Sequence, residues 1–316
     1  MEPNLHFWIR ESQSFVQRFL HWLDILDPTN VLLSHEKIKA ARELLRSEQT
    51  PKDHIEDQKI QKAWKQSLAT VHPETGSVIP MLFRPAAFFP ITGPLVFLFL
   101  QKYKGIKAAL FPQFFIHAYN TEFSITNGNS IHAKYSLEQQ LLGMTTIIST
   151  TFFGISPLLM MNRYTLKGPA VQNVVTKILP IPLLAFLSAF NVVVSRSHEY
   201  QNGIRVMDKN GNVVGLSQEA GAKAVGETAL SRGLLFGTSM LLSNVFSYFL
   251  ERTNIVHQNP KFLMVMKLNV TLLVMGLMVP VSFCLFPQTG QIQRTSLEPE
   301  IQSLTEETDL FYNRGL

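Results

Sequence analysis

Cysteine is almost absent from this chain. Cys284 is the only one, and it sits inside an apolar run. A single cysteine forms no internal disulfide, and alone it holds neither an iron–sulfur cluster nor a thiolate zinc site. The nine histidines include no pair spaced i, i+4, so no two-histidine metal face is expected on a helix. P-loop, GxSxG and HExxH patterns are missing too. No catalytic residue, metal or cofactor is therefore expected, and the chain does not read as an enzyme. Charge is scarce: 16% of residues are Asp, Glu, Lys or Arg, against roughly 25% in a typical soluble domain. The net charge of +5 is scattered, with no Lys/Arg stripe interleaved with aromatics, which argues against a nucleic-acid partner. The first residues, MEPNLHFWIRESQSF, carry early acids and no apolar core, unlike a secretory signal or an Arg-rich transit peptide.

The shortage of charge is local. The sequence before Ser77 is charged and amphipathic, and apolar runs dominate afterwards. A bilayer crossing needs about 20 mostly apolar residues. Leu137–Met161, Val174–Val194, Leu230–Leu250 and Leu263–Phe286 meet that need. Pro85–Leu100 and Gly105–Tyr119 are shorter, and either cross separately or form one crossing plus a re-entrant piece. The expected fold class is all-α: a membrane bundle of five or six spans over residues 78–290, with a small helical head at 1–77, a tail at 291–316 and one short β-hairpin loop. The lipid bilayer is its first partner.

In the head, Asp27-Pro28-Thr29-Asn30 reads as a turn. Ser34 is the expected N-cap of a helix over HEKIKAARELLRS, with Ile38, Ala41 and Leu45 on one face. A second helix runs from about Asp53 to Val71 on an Ile60, Trp64, Leu68 stripe, and Pro73 ends it near His72. The segment Phe7 to Leu26 is amphipathic and rich in aromatics, which suits a bilayer interface.

Polar residues inside apolar runs are the candidate functional groups. Arg84 lies just inside the first run, Asn191 and Arg196 at the end of another, and Lys267 and Asn269 at the start of the last. Arg196 and Glu199 are three apart and can pair on a helix. With Asn191 they either fix helix packing or line a path for a zwitterion, Arg meeting a carboxylate and Glu an ammonium. Asn120 to Asn129 reads as a polar connection, and Asn120 and Asn127 join the candidate path. Prolines at 90, 94, 112, 157, 180, 182 and 280 punctuate the spans, as kinks or as the broken helices that build substrate sites. Ile204–Val214, with Asn210-Gly211 between apolar arms, reads as a two-stranded flap outside the membrane.

His72-Pro73-Glu74-Thr75-Gly76, followed by Arg84 before an apolar span, resembles the signature of the sideroflexins, multi-spanning proteins of the mitochondrial inner membrane. The likeness continues through Asp27-Pro28, Asn120 and Asn127, and the spacing of Asn191, Arg196 and Glu199. It runs on through the hairpin Asp208 to Gly215, Phe286-Pro287-Gln288, Ser296-Leu297-Glu298 and the final Phe311-Tyr312-Asn313-Arg314-Gly315-Leu316. The resemblance implies localisation in that membrane, import through internal signals, five spans as these proteins are usually drawn, and membership of an amino-acid transporter family with a small amino acid as substrate. With six spans instead, the loops carrying Lys102, Lys104 and Lys107, Arg163, Lys167 and Lys177, and Arg252 and Lys261 would share the matrix side. The chain departs from the commoner, serine-carrier-like members. Ser77 stands in place of an acid and Gly128 in place of an arginine, which argues against serine as cargo. The stretches KQSLATVHPETG and TEETDLFYNRGL are similar to a branch associated with respiratory complex I assembly and iron–sulfur or haem homeostasis. That likeness implies complex I subunits or assembly factors as partners. With no ligand set for iron, any iron link is indirect.

Overall fold

The computed structural model describes residues 2–10, 14–46, 54–101, 105–129, 137–163, 168, 171, 174–252 and 260–316. Lys102, Lys104 and Lys167 fall outside them. The head holds four helices: α1 (Pro3–Arg10), α2 (Phe15–Ile25), α3 (His35–Arg46) and α4 (His54–Thr70). Asp27 caps a 3-10 turn at Pro28–Leu32 by accepting from the Thr29 N–H at 2.9 Å. Ser34 accepts from the Lys37 N–H at 3.5 Å, at the expected N-cap. The head is not a detached unit. Trp22 and Ile25 of α2 are buried in the same apolar cluster as Phe88, Phe123 and Phe283 of the bundle.

Among the described residues six long helices make the bundle: α5 (Pro85–Phe99), α6 (Ile106–Asn127), α7 (Leu137–Arg163), α8 (Pro180–Ser195), α10 (Gln218–Glu251) and α11 (Pro260–Cys284). They alternate in direction. Phe97, Ala109, Leu158, Leu183, Met240 and Lys267 meet around a cavity at one end, while Arg84, Asn127, Arg196 and Cys284 lie at the other. Among the described residues three helices are long and apolar enough to cross a membrane, within Leu137–Met161, Gln218–Leu250 and Lys261–Cys284. Pro85–Phe99 and Pro180–Ser195 are apolar but shorter. Side chains such as Leu137, Ile148, Phe186 and Leu273 are 77%, 68%, 65% and 72% exposed. That apolar exterior has no use in water and suits lipid. Where α8 meets α10, Gly233 and Gly237 face Ala185 and Ala189, and a Cβ on Gly237 would stand 3.0 Å from that of Ala185. Small residues of this kind let two helices pack backbone to backbone in lipid.

Four expectations need correction. The polar stretch from Asn120 is not a connection. It forms the last turns of α6, which runs on to Asn127 because Asn120, Thr121, Ser124 and Asn127 face inward and are buried. Of the two readings of the prolines, kink or broken helix, the second is set aside at 90, 94, 112, 157 and 280, which lie inside continuous helices. The one interruption on that list stands before Pro180, where a π-helical turn at Val174–Ile178 precedes α8. Arg84 lies not inside the first apolar helix but at its start. It is the N-cap residue of α5 and reaches back to the head.

The fourth correction concerns the β-structure and the tail. The hairpin forms as β1 (Ile204–Met207) and β2 (Val213–Ser217), with Gly211 at φ +82 in the turn. It is half of a four-stranded antiparallel sheet in the order β2-β1-β4-β3, with β3 at Thr289–Gln293 and β4 at Asp309–Asn313. Residues 291–316 are therefore part of the fold, closing it with a short helix, α12 (Pro299–Leu304), and a buried end at Leu316. The fold is mostly helical with a small sheet, not all-α.

Candidate functional site

The end of the bundle next to the sheet is built around a buried ion pair. A short helix, α9 (Ser197–Asn202), follows α8 through Arg196. The i, i+3 spacing brings Arg196 Nε to 2.5 Å from Glu199 Oε1 and Arg196 Nη2 to 2.7 Å from Glu199 Oε2, with both side chains fully buried. Arg196 also donates to Thr228 Oγ1 at 3.2 Å and to the Arg314 carbonyl at 2.7 Å. Glu199 accepts from the Asn129 backbone N–H at 3.1 Å and from its side-chain amide at 2.7 Å. The pair is satisfied on every side, as a buried pair must be to offset its desolvation.

The HPETG motif closes the same region. His72 Nε2 lies 2.8 Å from the Gly128 carbonyl, and its Nδ1 accepts from the N–H groups of Glu74 and Thr75, which assigns the proton to Nε2. Gly76, at φ +65, allows the turn, and Arg42 donates to its carbonyl. Pro73 and Thr75 lie in that turn, and Thr75 Oγ1 sits 2.7 Å from Ser77 Oγ. Asn313 donates to Glu74 Oε1 at 3.4 Å and to Asn129 Oδ1 at 3.0 Å. Arg84 donates to the carbonyls of Asn30, Val31 and Leu33 at 3.1, 2.7 and 3.1 Å, tying α5 to the head. Asn127 donates to the Phe83 carbonyl, and its own carbonyl accepts from the Leu316 N–H at 3.1 Å. The Arg314 guanidinium, pushed down to about 10 by burial, donates to the Phe283 carbonyl at 3.0 Å.

The candidate path residues therefore fall into two groups. Asn127, Arg196 and Glu199 meet at the sheet end, with their polar atoms spent on each other and on the backbone. Asn191 and Asn120 stand higher in the bundle. Asn191 donates to Thr121 Oγ1 at 2.7 Å and to the His117 carbonyl at 3.3 Å, bridging α8 to α6. Asn191 Oδ1, both polar atoms of the Asn120 amide, both His117 ring nitrogens and Ser188 Oγ are buried without a hydrogen-bond partner among the described residues. On α6 the sequence Gln113, His117, Asn120, Thr121, Ser124 follows one face at the helical repeat. Gln113 lines a cavity of about 760 Å³ at the far end of the bundle, together with Pro112, Pro157, Asn244 and Lys267. A polar line thus descends from that cavity to the ion pair. Sequence reading missed His117, Ser188 and above all Arg232, a buried arginine of α10. Arg232 sits two residues inside the expected Leu230–Leu250 span, where an arginine is costly to place in lipid.

The family match spans residues 3–316 and carries the description Sideroflexins. The chain belongs to the sideroflexin family. It is 51% identical to sideroflexin-4 of Bos taurus over the full length of both chains. To sideroflexin-4 of Homo sapiens it is 50% identical, covering all of this chain and 93% of the relative. Sideroflexin-5 of Homo sapiens is 30% identical over 97% of this chain and 91% of its own. No solved structure matches it. The arginine that the resemblance places after the Thr-Asn pair has no room in this sideroflexin. A Cβ on Gly128 would lie 2.8 Å from Glu199 Oε1, 2.9 Å from the Ser124 carbonyl and 3.2 Å from Arg196 Nε.

Proposed function

We propose that this sideroflexin is a multi-pass carrier of the mitochondrial inner membrane, taking a small amino-acid-sized solute other than serine, and that it supports respiratory complex I assembly. It performs no chemistry on its cargo. One observation carries the carrier reading: the line of buried polar atoms without partners on α6 and α8, leading inward from the cavity. Leaving a buried polar group unsatisfied costs about 1–3 kcal/mol. A protein that only needed a stable bundle would have apolar residues there. In this reading all six bundle helices cross, α5 and α8 being shorter than the roughly 30 Å hydrocarbon core.

The discriminating measurement is uptake of labelled amino acids into proteoliposomes holding the full chain. Arg196→Ala is a poor probe, since it strands Glu199. Asn120→Leu removes no hydrogen bond seen among the described residues and leaves the fold intact. Uptake by the parent protein, lost in Asn120→Leu, supports the carrier.

A second reading is a non-transporting complex I assembly scaffold, with an indirect effect on iron–sulfur and iron homeostasis. The apolar face that α2 presents outward, Phe15, Val16, Leu20 and Leu23, favours it. Absence of uptake by the parent protein, with complex I failing in cells that lack it, selects the scaffold.

A further inference from the structure

Arg232 is a buried cation with nothing to hold. Its side chain is enclosed, with the residue only 3% exposed, and neither Nη1 nor Nη2 has a hydrogen-bond partner among the described residues. No side-chain carboxylate of those residues forms an ion pair with it. Its neighbours do not neutralise it. Arg196 is answered by Glu199, while Arg314 lies in the field of Glu227. Of these three arginines Arg232 is the one on which no carboxylate acts, while Arg314 also leaves its Nε and Nη1 without a partner among the described residues.

What surrounds Arg232 is aromatic. The guanidinium carbon lies 4.5 Å from the ring centre of Phe88, 5.0 Å from that of Phe123 and 4.5 Å from that of Phe283. These rings come from α5, α6 and α11 and pack on one another, with centroids 4.7 Å apart for Phe88–Phe123 and 5.4 Å for Phe88–Phe283. Ring faces attract a desolvated cation. They offer its N–H groups no acceptor, so the fork that suits a planar anion stays unused. Asn120 lies one helical turn above Phe123 on α6, and its free amide faces the same interior.

We propose that Arg232 is the anion-recognition residue of this sideroflexin: it receives the carboxylate of a small monoanionic or zwitterionic solute inside the Phe88–Phe123–Phe283 enclosure. The inference rests on the carrier reading for its biological sense, but binding tests it separately from flux. A single carboxylate matches the single charge of Arg232. A dianion would bring an excess negative charge into an apolar enclosure and bear its desolvation cost.

The probes are glycine and acetate, with glycine methyl ester, chloride and inorganic phosphate as controls, added to the full chain in detergent. The readout is thermal unfolding. Glycine and acetate raise the Tm saturably, and the controls do not. In Arg232→Met the half-saturating concentration rises about tenfold or more, as expected for losing a charge-assisted contact. The Tm of the ligand-free protein also rises, because an uncompensated buried charge has gone; a structural strut would give the reverse. Arg232→Lys keeps the charge but not the fork, and responds more weakly. The proposal is overturned if acetate acts no differently from chloride or phosphate, or if either variant responds as the parent does. Uptake of labelled glycine separates the two ideas. Binding without flux removes the carrier and keeps the Arg232 site, whereas flux unchanged in Arg232→Met removes the site and keeps the carrier.

Discussion

Gly128 shows how little slack the sheet end of the bundle has. Its φ of −77° suits any residue, so the glycine is not needed for backbone conformation. It is needed for space, with Glu199 Oε1, the Ser124 carbonyl and Arg196 Nε crowding the place of a Cβ. Gly128→Ala is therefore expected to destabilise by about 1–3 kcal/mol, read as a lowered Tm in detergent. Arg196 and Glu199 make a matching test. Removing either one strands a buried charge at about 3–5 kcal/mol, while Arg196→Met with Glu199→Leu removes both charges and costs less than the two singles together. Unfolding measurements on the two singles and the double decide this. At this scale the sequence was partly legible. The i, i+3 spacing announced the Arg196–Glu199 contact, because helical geometry is local. It said nothing of Asn129, Thr228 and Arg314, which complete the pair from distant parts of the chain. Arg232 was missed although its place inside an apolar run was a local signal, and its aromatic surroundings gave none, since Phe88 and Phe283 are remote in sequence.

Helix α10 depends on a residue far from it in the chain. Glu298 Oε1 accepts from the N–H of Gln218 at 2.6 Å and from that of Glu219 at 3.2 Å, capping the start of a 34-residue helix. Partial burial pushes the Glu298 carboxyl up, but these N–H groups and Ser217 outweigh it, and the group titrates below the usual glutamate range. A depressed folded pKa stabilises above the unfolded value, about 4.3, and the gain is lost as pH falls through the folded value. Glu298→Gln is thus expected to lower stability by roughly 0.5–1 kcal/mol at pH 7, the modest size fitting an exposed cap. The difference from the parent shrinks toward zero below about pH 4. Urea unfolding at the two pH values measures it. Helices were the elements most readable from sequence, because apolar length and period are local signals. The hairpin was readable from Asn210-Gly211. Strands β3 and β4 were not, because TGQIQ and DLFYN earn their pairing only from each other and from β1. Their outward signal was a polar tail.

For the whole molecule, the alternation of six helices sets the head and the sheet at one end and the cavity at the other. Labelling tests this. In a Cys284→Ser background, single cysteines at Leu32 and Asn210, both exposed, are expected to react with an impermeant thiol reagent from one face of the membrane. A cysteine at Lys107, exposed at the other end, is expected to react from the opposite face. Reaction of Leu32→Cys and Asn210→Cys from different faces would mean an odd number of crossings between these two positions, not the four of α5 to α8. The described residues around the ion pair also fix an order of events. Arg196 is held by the carbonyl of Arg314, and Asn127 by the N–H of Leu316. Those contacts come from a segment 118 residues after Arg196, so the ion-pair region closes only once that segment docks. Deleting residues 314–316 is therefore expected to leave a bundle that inserts but does not close at the sheet end, read as a lowered Tm in detergent.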